Sequence, residues 1–255
     1  MALLFWAALG AAILIKGPIA PLVAILTLVP LGLWEKRWRW MKPLAWWPGP
    51  PLMLLIVLPW MVAIYAATDG RFFAEAIGHD LGSKIAGGSE GHSGWPGYHA
   101  LLLPLLIFPA SFALPFAARL GWQTLRASRA EEALRGLRFL LAWALPSFIM
   151  FELTPNKLPH YPLPVYPAIA LLCGAGIIAG LEGGSRVAKW IGVGLSALVS
   201  AALVALILAS GQFMGPGAQG LTPALAILAA IVAAIALASF AIARAPPTRV
   251  AAAVL

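Results

Sequence analysis

The sequence predicts an all-α protein, a polytopic transmembrane bundle of about eight spanning helices with one long outward loop. Three observations carry that prediction. Of the 255 residues 62% are hydrophobic and only 10% charged, with a mean hydropathy of +0.91; a soluble domain has about 45–50% and about 25%. So few charges cannot cover the surface of a soluble globule of this size. The apolar residues are also gathered into runs near the about 20 residues that cross about 30 Å of hydrocarbon. Finally, the runs lack the period-two alternation of barrel strands, and lipid tolerates only helices or closed barrels because every backbone polar group must be satisfied internally.

Taken in order, the runs are 2–15, 18–34, 52–68, 100–118, 137–153, 162–181, 190–210 and 221–243, each bounded by charge or by Gly and Pro. The first is short and starts at Met1 without the basic flank of a signal peptide, so it is expected to be the later part of a helix that begins upstream. Prolines 104, 109 and 115 punctuate the fourth run, which is still expected to cross once. The last three are crowded with Ala and Gly, the residues that let helices approach closely in lipid.

Loop charge sets the orientation. If loops alternate sides, 34–51, 119–136, 182–189 and the tail after 243, with Arg138 at the edge, hold 13 of the 17 Lys and Arg and four acids, while the opposite side holds four basic residues and five acids, net +9 against −1. The positive-inside rule then puts both ends in the cytoplasm and the loops containing 69–99, 154–161 and 211–220 outside. This accounts for the pI near 10.2 as topology and leaves no nucleic-acid partner, because the cations are not gathered on one face. The single cysteine, Cys173, excludes a disulfide framework.

Residues capable of chemistry concentrate in the outward loops. Residues 68–100 form a connection long enough to imply function and contain His79, His92 and His99 with Asp69, Arg71, Glu75, Asp80, Lys84 and Glu90. On a helix Glu75 and His79 share a face and can ligate one metal, although any one of these histidines also reads as a solvated loop residue. Apolar residues at 73, 77, 81 and 85 predict a short amphipathic interfacial helix. The second loop, 151–170, has prolines at 155, 159, 162, 164 and 167 that stiffen it and hold Lys157, His160 and Tyr161 at defined positions. Two readings of Lys157 stand together, a phosphate ligand and a snorkelling interfacial anchor. The turn Ile15-Lys16-Gly17-Pro18 presents a lone cation between two apolar spans. Lys16, Arg71, Lys84 and Lys157 at one membrane face predict recognition of an anionic lipid headgroup, with Lys16, Lys84 and Lys157 converging on one cavity.

The order Lys16-Gly17-Pro18, the basic loop WEKRWRW (34–40), Leu58-Pro59-Trp60, paired Phe72 and Phe73, His79 with Lys84 five residues on, and KLPHYPLPVYP (157–167) resembles the bacterial membrane glycosyltransferases similar to aminoarabinose transferase and the protein O-mannosyltransferases. The match runs from about residue 10 to 180, and KLPHYPLP is its most specific part. The resemblance implies a polyprenyl-phosphate-linked sugar as donor, used at the periplasmic face of the bacterial inner membrane, with a lipid or protein acceptor and a role in modifying lipid A or the cell envelope. Carried over by residue, His79 resembles the family's metal-ligating histidine, for a divalent Zn or Mg/Mn ion, and Lys84 its contact to the lipid phosphate. Lys157 and Tyr161 resemble the element beside its lipid and sugar cavity. Residues 1–181 thus read as the C-terminal part of a glycosyltransferase-like membrane domain and 182–255 as additional Ala-rich helices.

Family members carry a catalytic acid in an outward loop after their first helix. No Asp or Glu precedes Glu35 here, and Glu35 falls on the cytoplasmic side, so the base is expected upstream of Met1. Two other readings are compatible with the composition. A transporter or flippase would carry ionisable residues at mid-membrane, where these spans have none. A non-catalytic membrane fragment would account for the missing acid.

Overall fold

The computed structural model describes residues 1–76, 94–128, 130–183, 185–213 and 222–244, and among them there are helices and turns but no strand. Among the described residues the helices longer than one turn are α1 (Ala2–Lys16), α2 (Ile19–Glu35), α3 (Gly49–Thr68), α4 (Tyr98–Leu106), α5 (Leu114–Arg126), α6 (Arg135–Leu153), α7 (Tyr166–Gly183), α8 (Arg186–Phe213) and α9 (Thr222–Arg244). Most are apolar all round, as spans in lipid are. Among the described residues five segments are long and apolar enough to cross a membrane: Gly49–Thr68, Glu132–Leu153, Leu163–Gly180, Arg186–Ser210 and Pro223–Arg244. α1 and α2, with 15 and 17 residues, are shorter; at 1.5 Å per residue they reach only about 22–26 Å. Helix therefore lies on all eight apolar runs.

The fourth run is not the single straight helix expected from its hydropathy. α4 stops at Leu106, a turn at Ala110–Ala113 intervenes, and the chain bends by 119° into α5. Two local causes are legible afterwards. Pro109 and Pro115 remove backbone donors at the break. Beyond it the sequence becomes amphipathic, with Phe116, Ala117, Gly121 and Thr124 buried while Arg119 and Arg126 are exposed, so α5 has a polar face that a straight crossing would drive into lipid.

The described residues divide into two compact units interleaved along the chain: 1–99 with 128–168, and 100–127 with 169–255. In the first, α1 packs along α3 and α2 along α6. Trp6 fixes the segment between α2 and α3 by donating its indole N–H to the Leu44 carbonyl at 3.0 Å. α2 and α6 are joined at one end by a buried ion pair: Arg138, 2% exposed, reaches Glu35 at 3.6 Å and donates to the carbonyls of Ser128 (2.8 Å) and Glu131 (3.0 Å). At the same end Arg37 and Arg135 share Glu132 at the surface.

In the second unit α8 packs on α9, with the buried Ser196 and Ser239 hydroxyls 2.9 Å apart. Phe112 and Phe116 form its core with Ala188. Gly176 lets α7 approach the α5 backbone: a Cβ there would come within 2.6 Å of the Ala117 nitrogen.

Candidate functional site

Two clusters, both in the first unit, bring together polar residues from the turn after α1, from 94–99 and from 152–166. The first is built on the turn after α1. Gly17 adopts φ 62°, a left-handed conformation glycine takes without penalty, and its N–H closes the helix on the Ile13 carbonyl at 2.8 Å. Pro18 then starts α2. Lys16, the last residue of α1, is exposed, and its ammonium stands 5.7 Å from the centre of the Tyr161 ring, within cation–π range. Tyr161 is set by a succession of tight turns: its N–H bonds to Leu158 O, Leu163 N–H to His160 O, and Val165 N–H to Pro162 O.

Lys16 has no acidic partner among the described residues. It borders a cavity of about 610 Å³ whose lining runs along α1 and α2 to Trp40, with Phe139, Trp143 and Pro164 from α6 and the turn after the Pro-rich loop. Trp143 is tied to that turn through its indole N–H, which donates to Pro164 O at 3.0 Å. Thr27, a polar residue in the wall, satisfies itself on the Val23 carbonyl at 2.7 Å. The cavity is therefore an apolar groove with a cation at its rim.

The second cluster surrounds Lys157. Proline 155 cannot donate to the carbonyl four residues before it, Phe151 O, so α6 ends with that acceptor open. Lys157 fills the gap. Its ammonium donates to Phe151 O at 3.3 Å and Glu152 O at 2.6 Å and lies 3.6 Å from the Glu152 carboxylate. A cation at a helix C-terminus also complements the negative end of the dipole. The same carboxylate accepts the Gly97 N–H at 2.8 Å. Gly94 donates to Pro155 O at 3.1 Å, and its bare Cα makes room for the Lys157 stem, which a Cβ would meet at 2.7 Å. His99, fully buried, donates from Nε2 to Leu158 O at 3.0 Å and turns Nδ1 toward Glu152 Oε2 at 3.9 Å.

The predicted site residues thus part company. Lys16 and Tyr161 meet at the groove. Lys157 is only 4% exposed and its ammonium is held against the end of α6. His79 and Lys84 lie outside the described residues, as does the interfacial helix expected over 73–85 beyond residue 76; just before it Phe72 packs edge-on against Trp60 at 5.6 Å. No group of three or more metal-ligating side chains occurs among the described residues. The His99–Glu152 pair does not fit a divalent ion, because the Lys157 ammonium already sits beside its carboxylate. Glu152 is a functional candidate that sequence reasoning passed over, and His99 stood there only as one of three loop histidines. The available signal was the FELTPNK string: an acid just before a helix-ending proline, with a lysine two residues after it.

No protein-family model matches the chain. It is 34% identical over 215 residues to the undecaprenyl phosphate-alpha-4-amino-4-deoxy-L-arabinose arabinosyl transferase of Pseudomonas aeruginosa PAO1, which covers 80% of this chain and 37% of that protein. It is 33% identical over 176 residues to the transferase 2 of that name from Pseudomonas fluorescens Pf0-1, covering 66% and 30%. Among solved structures, the crystal structure of ArnT from Cupriavidus metallidurans bound to undecaprenyl phosphate superimposes with a TM-score of 0.61 at 25% identity, covering 95% of this chain and 41% of that one. The chain spans 37% of the length of the first of these curated relatives.

Proposed function

The chain is a relative of the bacterial membrane glycosyltransferases of the undecaprenyl-phosphate aminoarabinose transferase group, and on that footing we propose that it supplies the lipid-phosphate side of a site that transfers a sugar from a polyprenyl-phosphate donor to a lipid or protein acceptor. The observation that carries this reading is the Lys16 ammonium above the Tyr161 ring at the rim of an apolar groove of about 610 Å³. An isoprenoid chain is apolar and long, and its phosphate is anionic; the groove offers the first a dry wall and the second a cation. Stacking on Tyr161 orients the ammonium without neutralising it, so its charge stays available. In the reaction, negative charge builds on the phosphate oxygens as the sugar leaves, and a fixed cation stabilises that charge most in the transition state.

Residues 1–181 form the transferase-like part in this reading and 182–255 further helices, with the chain in the bacterial inner membrane and the groove's cationic rim on the periplasmic side, as the Lys and Arg asymmetry supports. The carboxylate that orients the acceptor hydroxyl belongs to no residue assigned here. Metal chemistry at His79 carries no step. The transporter alternative loses ground because the named relatives are transferases.

The test is binding of undecaprenyl phosphate to the detergent-purified chain, measured by native mass spectrometry. Lys16→Gln is expected to weaken it about tenfold, the equivalent of losing one charge-assisted contact of about 1.4 kcal/mol. Equal binding by the variant would overturn the reading.

A further inference from the structure

Tyr161 reaches Lys16 from a Pro-rich strap that has no regular secondary structure over 154–160, so something outside the strap must hold it. Among the described residues it is held at several points, one of them the Tyr166 hydroxyl, which donates to Pro159 O at 3.3 Å. At the start, Gly94 N–H bonds to Pro155 O. In the middle, Lys157 is drawn under the end of α6 by Glu152 and two carbonyls. Just before Tyr161 comes Leu158, whose carbonyl accepts from two donors at once: the His99 ring at 3.0 Å and the Tyr161 N–H at 3.0 Å. His99 is therefore one shared acceptor away from the Tyr161 backbone. Glu152 stands behind both anchors, 3.6 Å from Lys157 Nζ and 3.9 Å from His99 Nδ1, and ties the 97–99 segment to α6 through the Gly97 N–H.

We propose that Glu152 and His99 are positioning residues for the lipid-phosphate site: together they clamp the strap so that the Tyr161 ring is presented to Lys16. The proposal rests on the proposed lipid-phosphate reading for its functional meaning but not for its geometry. Neither residue needs to touch the phosphate. Glu152 is 13% exposed at its side chain and His99 not at all; Glu152 faces the Lys157 ammonium and the Gly97 N–H, and His99 reaches the strap through Nε2. A carboxylate serves here because it can take a backbone N–H and an ammonium together. A histidine serves because a ring nitrogen can reach across to a carbonyl while the ring fills a closed space.

The chain has four tyrosines, so biosynthetic 3-fluorotyrosine labelling yields four ¹⁹F signals, with that of Tyr161 assigned by Tyr161→Phe. Lys16→Gln should move the Tyr161 signal by removing the cation above its ring. Glu152→Gln and His99→Leu should move the same signal in the same direction and leave that of Tyr65 in place, whereas His99→Gln, which keeps a donor at the Nε2 position, should restore it. If Glu152→Gln fails to fold because Lys157 is left unpaired, Glu152→Gln with Lys157→Met replaces it. In undecaprenyl phosphate binding, Glu152→Gln should cost about fivefold in the parent chain and nothing further in a Tyr161→Ala background, because the residue acts through Tyr161. An unmoved Tyr161 signal in Glu152→Gln and His99→Leu overturns the proposal, as does an undiminished effect in the Tyr161→Ala background. A parent chain that binds no undecaprenyl phosphate while the Tyr161 signal moves as expected overturns the lipid-phosphate reading and leaves the clamp standing.

Discussion

The Lys16 ammonium stands 5.7 Å from the ring centre of Tyr161, joining the turn after the first helix to the Pro-rich strap before α7. The pair has a clear electrostatic sense. Cation and ring face attract, the ring has no charge to cancel the ammonium, and the apolar groove beside them lowers the local dielectric, so an arriving anion meets a stronger field than it would in water.

That relationship predicts a graded response at Tyr161. Tyr161→Phe keeps the ring face and should hold undecaprenyl phosphate binding within about threefold, whereas Tyr161→Ala should lower it about tenfold by freeing the lysine. Native mass spectrometry of both variants checks this. Equal losses in the two would mean that the hydroxyl, and not the ring face, carries the contact.

The Arg138–Glu35 pair predicts a stability effect remote from the groove. Removing Glu35 takes an anionic partner from the buried Arg138, and breaking a buried pair from one side costs up to about 3–5 kcal/mol, while replacing both with apolar residues is closer to neutral. Glu35→Gln should therefore lower the thermal unfolding midpoint clearly, and Glu35→Leu with Arg138→Met should recover much of the loss. If the double variant is no more stable than the single one, the backbone bonds of Arg138 to Ser128 and Glu131 matter more than the ion pair.

Close packing in the second unit gives a third expectation. Gly176→Val places a branched side chain where the α5 backbone already stands, and overpacking of this kind costs about 1–3 kcal/mol. The unfolding midpoint should fall, whereas Gly174→Ala, inside the same helix with nothing within 4 Å of the added Cβ, should hold or raise it. A neutral Gly176→Val would show that α7 and α5 are further apart than described.

Topology can be read with a single reporter thiol. Cys173, the one native cysteine, is 2% exposed and gives little background. An exposed His160→Cys should react with a membrane-impermeant maleimide added to spheroplasts, and an exposed Lys42→Cys only after permeabilisation. The reverse pattern would invert the orientation drawn from the loop charges.

Much of the architecture was legible from residues alone, because hydrophobic transfer and proline geometry act position by position. All eight apolar runs carry helix, the resemblance in KLPHYPLPVYP leads to the relatives the chain has, and Lys16 and Tyr161 stood out by their surroundings in the sequence. Hydropathy misjudged the fourth run, since an average over 100–118 conceals the change from an all-apolar stretch to an amphipathic one at Leu114. It could not tell that Lys16 lies beside Tyr161, or that Lys157 is turned inward to cap α6, leaving one of two similar loop lysines exposed and the other buried. Nor could it join His99 to Leu158 or Arg138 to Glu35. Such partnerships connect segments far apart in the chain, and only the packing of the helices brings their polar atoms within bonding distance, so they belong to the tertiary structure and not to any local stretch of sequence.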